Sequence, residues 1–141
     1  MKLEDLVRKT KVYTRVTCRE ARDSINFLKN WGTSLGPLKK HLRGDKVLGG
    51  NKGSYVIPKQ PDNIIPDYPI LGLANELGEL VEKVEKGDRE GAKAELADVL
   101  FYVGACAVEM DCSIEEIQSM LEDKLLGRLM RGTIKGDGDN R

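Results

Sequence analysis

Two short stretches carry the residue types and spacing that could do chemistry: Glu76-Leu77-Gly78-Glu79 and Glu95-Leu96-Ala97-Asp98. Each is acid-x-x-acid inside an apolar, helix-forming sequence. Residues three apart lie on one face of a helix, so each motif projects two carboxylates the same way. If the two helices pack antiparallel, four carboxylates converge. Bare carboxylates facing one another repel, and burying them costs desolvation. A hard divalent cation removes that conflict, and oxygen-only ligands suit Mg²⁺ or Mn²⁺. The plainer alternative is that these acids solvate exposed helix faces, the usual fate of charged residues.

Carboxylates on paired helices that hold a metal are a common device for phosphate chemistry. The metal neutralises phosphate oxygens and acidifies water. Cations toward the C-terminus, Lys124, Arg128, Arg131, Lys135 and Arg141, suit a phosphate chain. They equally suit the negative end of a helix. Other readings fit less well. A di-iron bundle wants Glu-x-x-His on two helices, and the only histidine is His41. Asp137-Gly138-Asp139 opens like a calcium loop but lacks the remaining ligands. The stretch Gly49-Gly50-Asn51-Lys52-Gly53 could cradle phosphate, yet it is not G-x-x-x-x-G-K-[ST].

The elements that must position these groups are helices. Leu71, Ala74, Leu77, Val81 and Val84 form one helical stripe from Ile70 onward, closed by Gly87. Asp88 caps a second helix to about Met110, with Ala92, Leu96, Val99, Val103, Ala107 and Met110 apolar. Glu95, Asp98 and Tyr102 share a neighbouring face of it. Ser113-Ile114-Glu115-Glu116 is a capping box for a last helix, with Ile114, Ile117, Met120, Leu121 and Leu125 inward and Gly127 or Gly132 as its end. Upstream, a helix is expected over about residues 2–14, with Leu3, Leu6, Val7 and Val12 inward. Thr17-Cys18-Arg19-Glu20 reads as a capping box opening another to about Asn30, burying Ala21, Ile25 and Leu28 and ended by Trp31-Gly32. Residues 32–69 hold all five prolines and six of fifteen glycines. They read as a long irregular loop with a short extended piece at Ser54–Ile57 and a basic run through Lys39, Lys40, His41, Arg43, Lys46 and Lys52.

The chain of 141 residues fits one domain, and 33% charged with 5% aromatic residues leans toward helices. Formal net charge is zero, so no nucleic-acid partner is expected from charge alone. The charge is nonetheless uneven. Residues 1–69 carry 14 Lys/Arg against 7 Asp/Glu, and residues 70–141 carry 9 against 16. Cys18, Cys106 and Cys112 lack C-x-x-C spacing and read as reduced thiols. With no 18-residue apolar run and no signal-like start, a cytoplasmic protein without a membrane span is expected.

From Leu71 to Arg141 the sequence resembles the MazG-like, all-α nucleoside triphosphate pyrophosphohydrolases, especially small phage and bacterial versions. The resemblance rests on Glu76-x-x-Glu79 and Glu95-x-x-Asp98. It extends to Leu71-Gly72-Leu73-Ala74, Ala97-Asp98-Val99-Leu100-Phe101-Tyr102, and the segment from Lys124-Leu125 through Arg128, Arg131-Gly132 and Gly138-Asp139-Asn140-Arg141. It implies that Glu76, Glu79, Glu95 and Asp98 bind Mg²⁺, and that the chain cuts a nucleoside triphosphate to monophosphate and pyrophosphate. It also implies a homodimer or dimer of dimers. The chain departs from the pattern at Leu121, where many relatives carry Asn.

The expectation is therefore one all-α MazG-like domain over 1–141, with variable helices and loop to residue 69 and a metal-binding core from residue 70. Its role would be nucleotide-pool control or supply in a bacterial or phage-infected host cytoplasm. Mg²⁺ is the expected cofactor, with Mn²⁺ able to substitute. Glu79 is also the candidate base for water. Lys83, Lys124, Arg128 and Arg131 are candidate phosphate contacts. Trp31, at the mouth of the odd loop, is a candidate wall for the base or else a helix-end residue packed on the core. The rival is a non-catalytic helical module whose basic half binds an acidic partner or nucleic acid.

Overall fold

A computed structural model describes residues 2–43 and 64–132, all of whose regular elements are helices. These are α1 (Leu3–Thr10), α2 (Arg19–Thr33), α3 (Gly36–Leu42), α4 (Asp67–Glu85), α5 (Arg89–Glu109) and α6 (Ile114–Arg131). The all-α expectation holds among them. Ser54–Ile57, Gly49–Gly53, Lys46, Lys52 and the tail beyond Gly132 lie outside the described residues.

Several boundaries differ from expectation for local reasons. Helix α1 stops at Thr10, whose hydroxyl donates back to the Leu6 carbonyl at 2.8 Å. The β-branched Val12, Thr14 and Val16 beyond it disfavour continuation. The cap of α2 is Cys18, not Thr17: Cys18 Sγ accepts the Ala21 amide at 3.4 Å, because the helix begins one residue later than the motif suggests. Helix α2 also continues past Asn30 to Thr33, so Trp31 lies within its last turn. The segment read as irregular from residue 32 contains α3. Pro37 sits in its first turn, where a missing amide hydrogen costs nothing, and Lys39, Lys40 and His41 fill its last turn. Helix α4 starts at Asp67, ahead of Ile70, because Pro69 likewise falls in a first turn.

The later caps match the sequence reading. Asp88 Oδ1 accepts the Gly91 amide at 2.9 Å, and Ser113 Oγ accepts the Glu116 amide at 3.1 Å. Gly87 (φ +70°) and Gly132 (φ +68°) take the left-handed conformation that ends α4 and α6, where a side chain would be strained.

The described chain divides into two compact units. One joins α1 and α6, with Leu6 and Leu125 as its buried residues. The other holds α2 through α5. There α4 and α5 form an antiparallel hairpin about the turn at 86–88, α2 packs along α4, and α3 packs on α4. Ion pairs from Arg22 (3.3 Å) and Lys29 (2.9 Å) to Glu85 tie α2 to the end of α4. Exposed as they partly are, such pairs add little stability but fix the pairing.

Not every apolar position is covered. Leu77 and Val84 on α4, Val7 and Val12 near α1, and Met120 and Leu121 on α6 are exposed against expectation, and so are the apolar Leu96 of α5 and Met110 at its C-cap. Helix α5 is apolar on more faces than one hairpin partner can cover. Leu96, Leu100 and Val108 form an exposed stripe away from its carboxylates, flanked by Phe101, whose ring meets Tyr102 edge-to-face at 5.0 Å.

Candidate metal centre

The antiparallel hairpin brings the two acid-x-x-acid motifs face to face. Positions equidistant from the turn meet, so Glu76 on α4 faces Glu95 and Asp98 on α5. One carboxylate oxygen from each of these three lies within 4.8 Å of the others. Glu76 is buried, Glu95 half-buried and Asp98 exposed, so the cluster opens from the helix interface toward solvent. Glu79 stands one turn further along α4 and is not a member of that group of three.

Electrostatics records the crowding. The Glu95 carboxyl is pushed up to about 7 by burial, by a hydrogen bond with Glu76, and by the charges of Glu76, Asp98 and Glu79. Glu79 is also raised, first by burial and then by Glu82 and Glu76, with Lys83 and Lys39 pulling the other way. A cluster that retains protons near neutral pH is short of positive charge.

Part of that charge comes from the segment expected to be an irregular loop. Lys39 on α3 lies with Nζ 3.0 Å from Glu76 Oε1, and both side chains are only 12% exposed. Its ammonium is also 5.2 Å from the centroid of the Tyr102 ring, a cation–π distance. Burial pulls the Lys39 pKa down, and the hydrogen bonds and negative charge of Glu76 and Tyr102 more than reverse this, leaving it raised.

Tyr102 is one helical turn beyond Asp98 on the same face of α5, a placement its spacing made legible. Its ring lies against Gly72, where an added Cβ would overlap it. It meets Tyr68 edge-to-face at 5.9 Å, with the two hydroxyls 3.4 Å apart. Burial and the Tyr68 bond raise its pKa against the pull of Lys39. Asn75, beside Glu76, donates from Nδ2 to the Gly32 carbonyl at 2.8 Å. A lone amide inside an apolar stripe was the available signal for that contact.

The remaining expected residues fall as follows. Lys83 follows Glu79 by one turn of α4 and lowers its pKa. Trp31 is 44% exposed, next to Gly32. Lys124, Arg128 and Arg131 stand on α6, in the other compact unit. The donor set fits a hard divalent cation: three clustered carboxylates, with a lysine ammonium already seated on one of them as a stand-in cation. No helix among the described residues is long and apolar enough to cross a membrane.

Fold and site thus define an all-α protein with a carboxylate cluster on a helical hairpin, the arrangement suited to metal-assisted phosphate chemistry. The model of the MazG nucleotide pyrophosphohydrolase domain matches residues 67–130, which is α4 through most of α6. "Gene 37 protein" of Mycobacterium phage L5 is 35% identical over 85 residues, covering 52% of this chain and 75% of that protein. No solved structure matches significantly. The chain belongs to the MazG nucleotide pyrophosphohydrolase family.

Proposed function

We propose that this chain hydrolyses (deoxy)nucleoside triphosphates to the nucleoside monophosphate and pyrophosphate, with Mg²⁺ as cofactor and Mn²⁺ as substitute. The observation that carries the reading is the convergence of Glu76, Glu95 and Asp98 within 4.8 Å on α4 and α5. These three, with Glu79 completing the set one turn away, hold the cation. A divalent cation held there would neutralise phosphate oxygens and acidify a water. Water adds across the α–β phosphoanhydride, pyrophosphate leaves, and Glu79 accepts the water proton. Lys83 offsets charge on the phosphates, and Trp31 borders the base; Lys124, Arg128 and Arg131 are the further phosphate contacts that the sequence offers. The exposed apolar residues of α4 and α5 support a homodimer or a dimer of dimers.

The test is a panel of all NTPs and dNTPs with Mg²⁺, scored for monophosphate and pyrophosphate. Equimolar release of the two, abolished by a chelator, is the expected result. No turnover of any member, with binding to an acidic protein or nucleic acid retained, would favour a non-catalytic helical module.

A further inference from the structure

The carboxylate cluster is not an empty set of negative charges. One side chain from outside both motifs already answers it. Lys39 reaches across from α3 to bond Glu76 Oε1 at 3.0 Å, in a setting where both partners are largely shielded from water. The Tyr102 ring also faces the ammonium, its centroid 5.2 Å away. Lysine is a compact charge on a flexible four-carbon stem, able to change partners without moving its helix. Glu76 is also the acid shared between the lysine and the group formed with Glu95 and Asp98.

A divalent cation on Glu76 and an ammonium on the same carboxylate repel at close range, so the two cannot both be held at full strength. The ammonium is displaced toward whatever negative charge is nearby. On the pyrophosphohydrolase reading above, that charge is the phosphate chain. We propose that Lys39 is a resident counter-cation of the carboxylate site, which leaves Glu76 when metal binds and then contacts phosphate oxygens of the nucleoside triphosphate. Lys39 thereby opposes metal loading in the absence of nucleotide and favours it in its presence. Metal and nucleotide are coupled through one side chain.

The test uses the full chain with Lys39→Met, which keeps the stem and removes the charge, and with Lys39→Arg, which keeps the charge. Mn²⁺ binding is followed by the electron paramagnetic resonance of the free ion, without nucleotide. Binding of a non-hydrolysable triphosphate analogue is then measured at saturating metal. Lys39→Met should bind Mn²⁺ about tenfold more tightly than wild type and the analogue about tenfold more weakly, the ordinary size of a coupling of this kind. Lys39→Arg should stay near wild type in both. If Lys39→Met does not fold, Lys39→Gln serves with the same expectations. Unchanged or weaker Mn²⁺ binding in the uncharged variant, or unchanged analogue binding, overturns the proposal. The metal-site reading fails separately: wild type would not bind Mn²⁺, or Asp98→Asn would bind it as wild type does.

Discussion

Gly32 and Gly78 meet backbone to backbone where α2 crosses α4. A Cβ on Gly78 would come within 2.7 Å of the Thr33 amide nitrogen and 2.8 Å of Gly32 Cα. A Cβ on Gly32 would come within 2.8 Å of the Ala74 carbonyl oxygen and of Gly78 Cα. The obstacles are backbone atoms, so no rotamer change relieves them. Asn75 uses this proximity to bond the Gly32 carbonyl. Around α4 the Ala74–Gly78 face that meets α2 lies nearly opposite Glu76, so this crossing fixes α2 to the back of the helix that carries the first acid pair.

Gly78→Ala is therefore expected to destabilise despite alanine's better helix propensity, which is worth about 1 kcal/mol. Overpacking a fixed contact costs about 1–3 kcal/mol, and the larger values should win here because nothing can yield. A thermal melt should fall by several degrees, at roughly 4 °C per kcal/mol for a chain of this length. Gly36→Ala is the control. A Cβ there meets nothing within 4 Å, and its melt should move little.

Such a contact marks what the sequence could and could not reveal. The hairpin and its four acids were legible because helical period, caps and acid spacing are local properties. Asp88 and Ser113 cap as their motifs require. Helix α3 was hidden because Gly36 and Pro37 read as loop punctuation, although proline suits a helix's first turn. With α3 hidden, Lys39 reads as one of several loop cations, and nothing local signals its pairing with Glu76 across 37 residues. The exposed Leu77, Leu96 and Val84 show the converse limit. An apolar stripe says that a face wants covering, and not whether this chain supplies the cover.

The raised pKa of Glu95 gives stability a definite sign with pH in metal-free protein. Its folded value of about 7 lies above the ordinary 4.5, so the stabilisation from its bound proton is full below 4.5. It is lost as pH rises through about 7. Glu79 is shifted in the same direction. The metal-free melting temperature should decline from about pH 5 to about pH 8, and Glu95→Gln should flatten the decline. Excess Mg²⁺ should reverse the trend, because deprotonation makes room for the cation. A pH-independent melt without metal would contradict the crowding at Glu95.

Glu79→Gln keeps shape and removes charge. Turnover should fall by about 10²–10⁴-fold, the usual weight of a proton-accepting group, with weaker Mg²⁺ binding. The fold should survive. The metal-free melt should stay level or rise, since the charges of Glu82 and Glu76 that raise the Glu79 pKa no longer oppose it. A rate equal to wild type would remove Glu79 from the mechanism while leaving Glu76, Glu95 and Asp98 as the metal set.

The uncovered stripe on α5 makes a prediction about assembly. Leu96 and Leu100 are each 53% exposed, on the face away from the carboxylates. Replacing both with Lys should leave the helical hairpin intact, as seen by circular dichroism, and shift the protein to monomer in sedimentation velocity. Charges are strongly disfavoured in the apolar centre of an interface. A wild-type protein that sediments as a monomer at all concentrations would end the dimer proposal.

Trp31 is the single tryptophan, so its fluorescence reports one place. It stands next to Gly32, whose carbonyl bonds Asn75, the neighbour of Glu76. At 44% exposure its indole is not a sealed core residue, and it has flat apolar surface to offer a base. With metal present, titration with a triphosphate should give a saturable emission change whose midpoint tracks KM, and the substrates should rank differently in Trp31→Ala. Truncation of a half-exposed aromatic should cost less than the roughly 3–5 kcal/mol of a buried one, so the variant is expected to fold and be measurable. A silent titration, together with a variant that is less stable but keeps the wild-type order of substrates, would make Trp31 a packing residue. Base recognition would then have to come from groups nearer Tyr68 and Tyr102, whose edge-to-face pair stands on the same hairpin as the carboxylates.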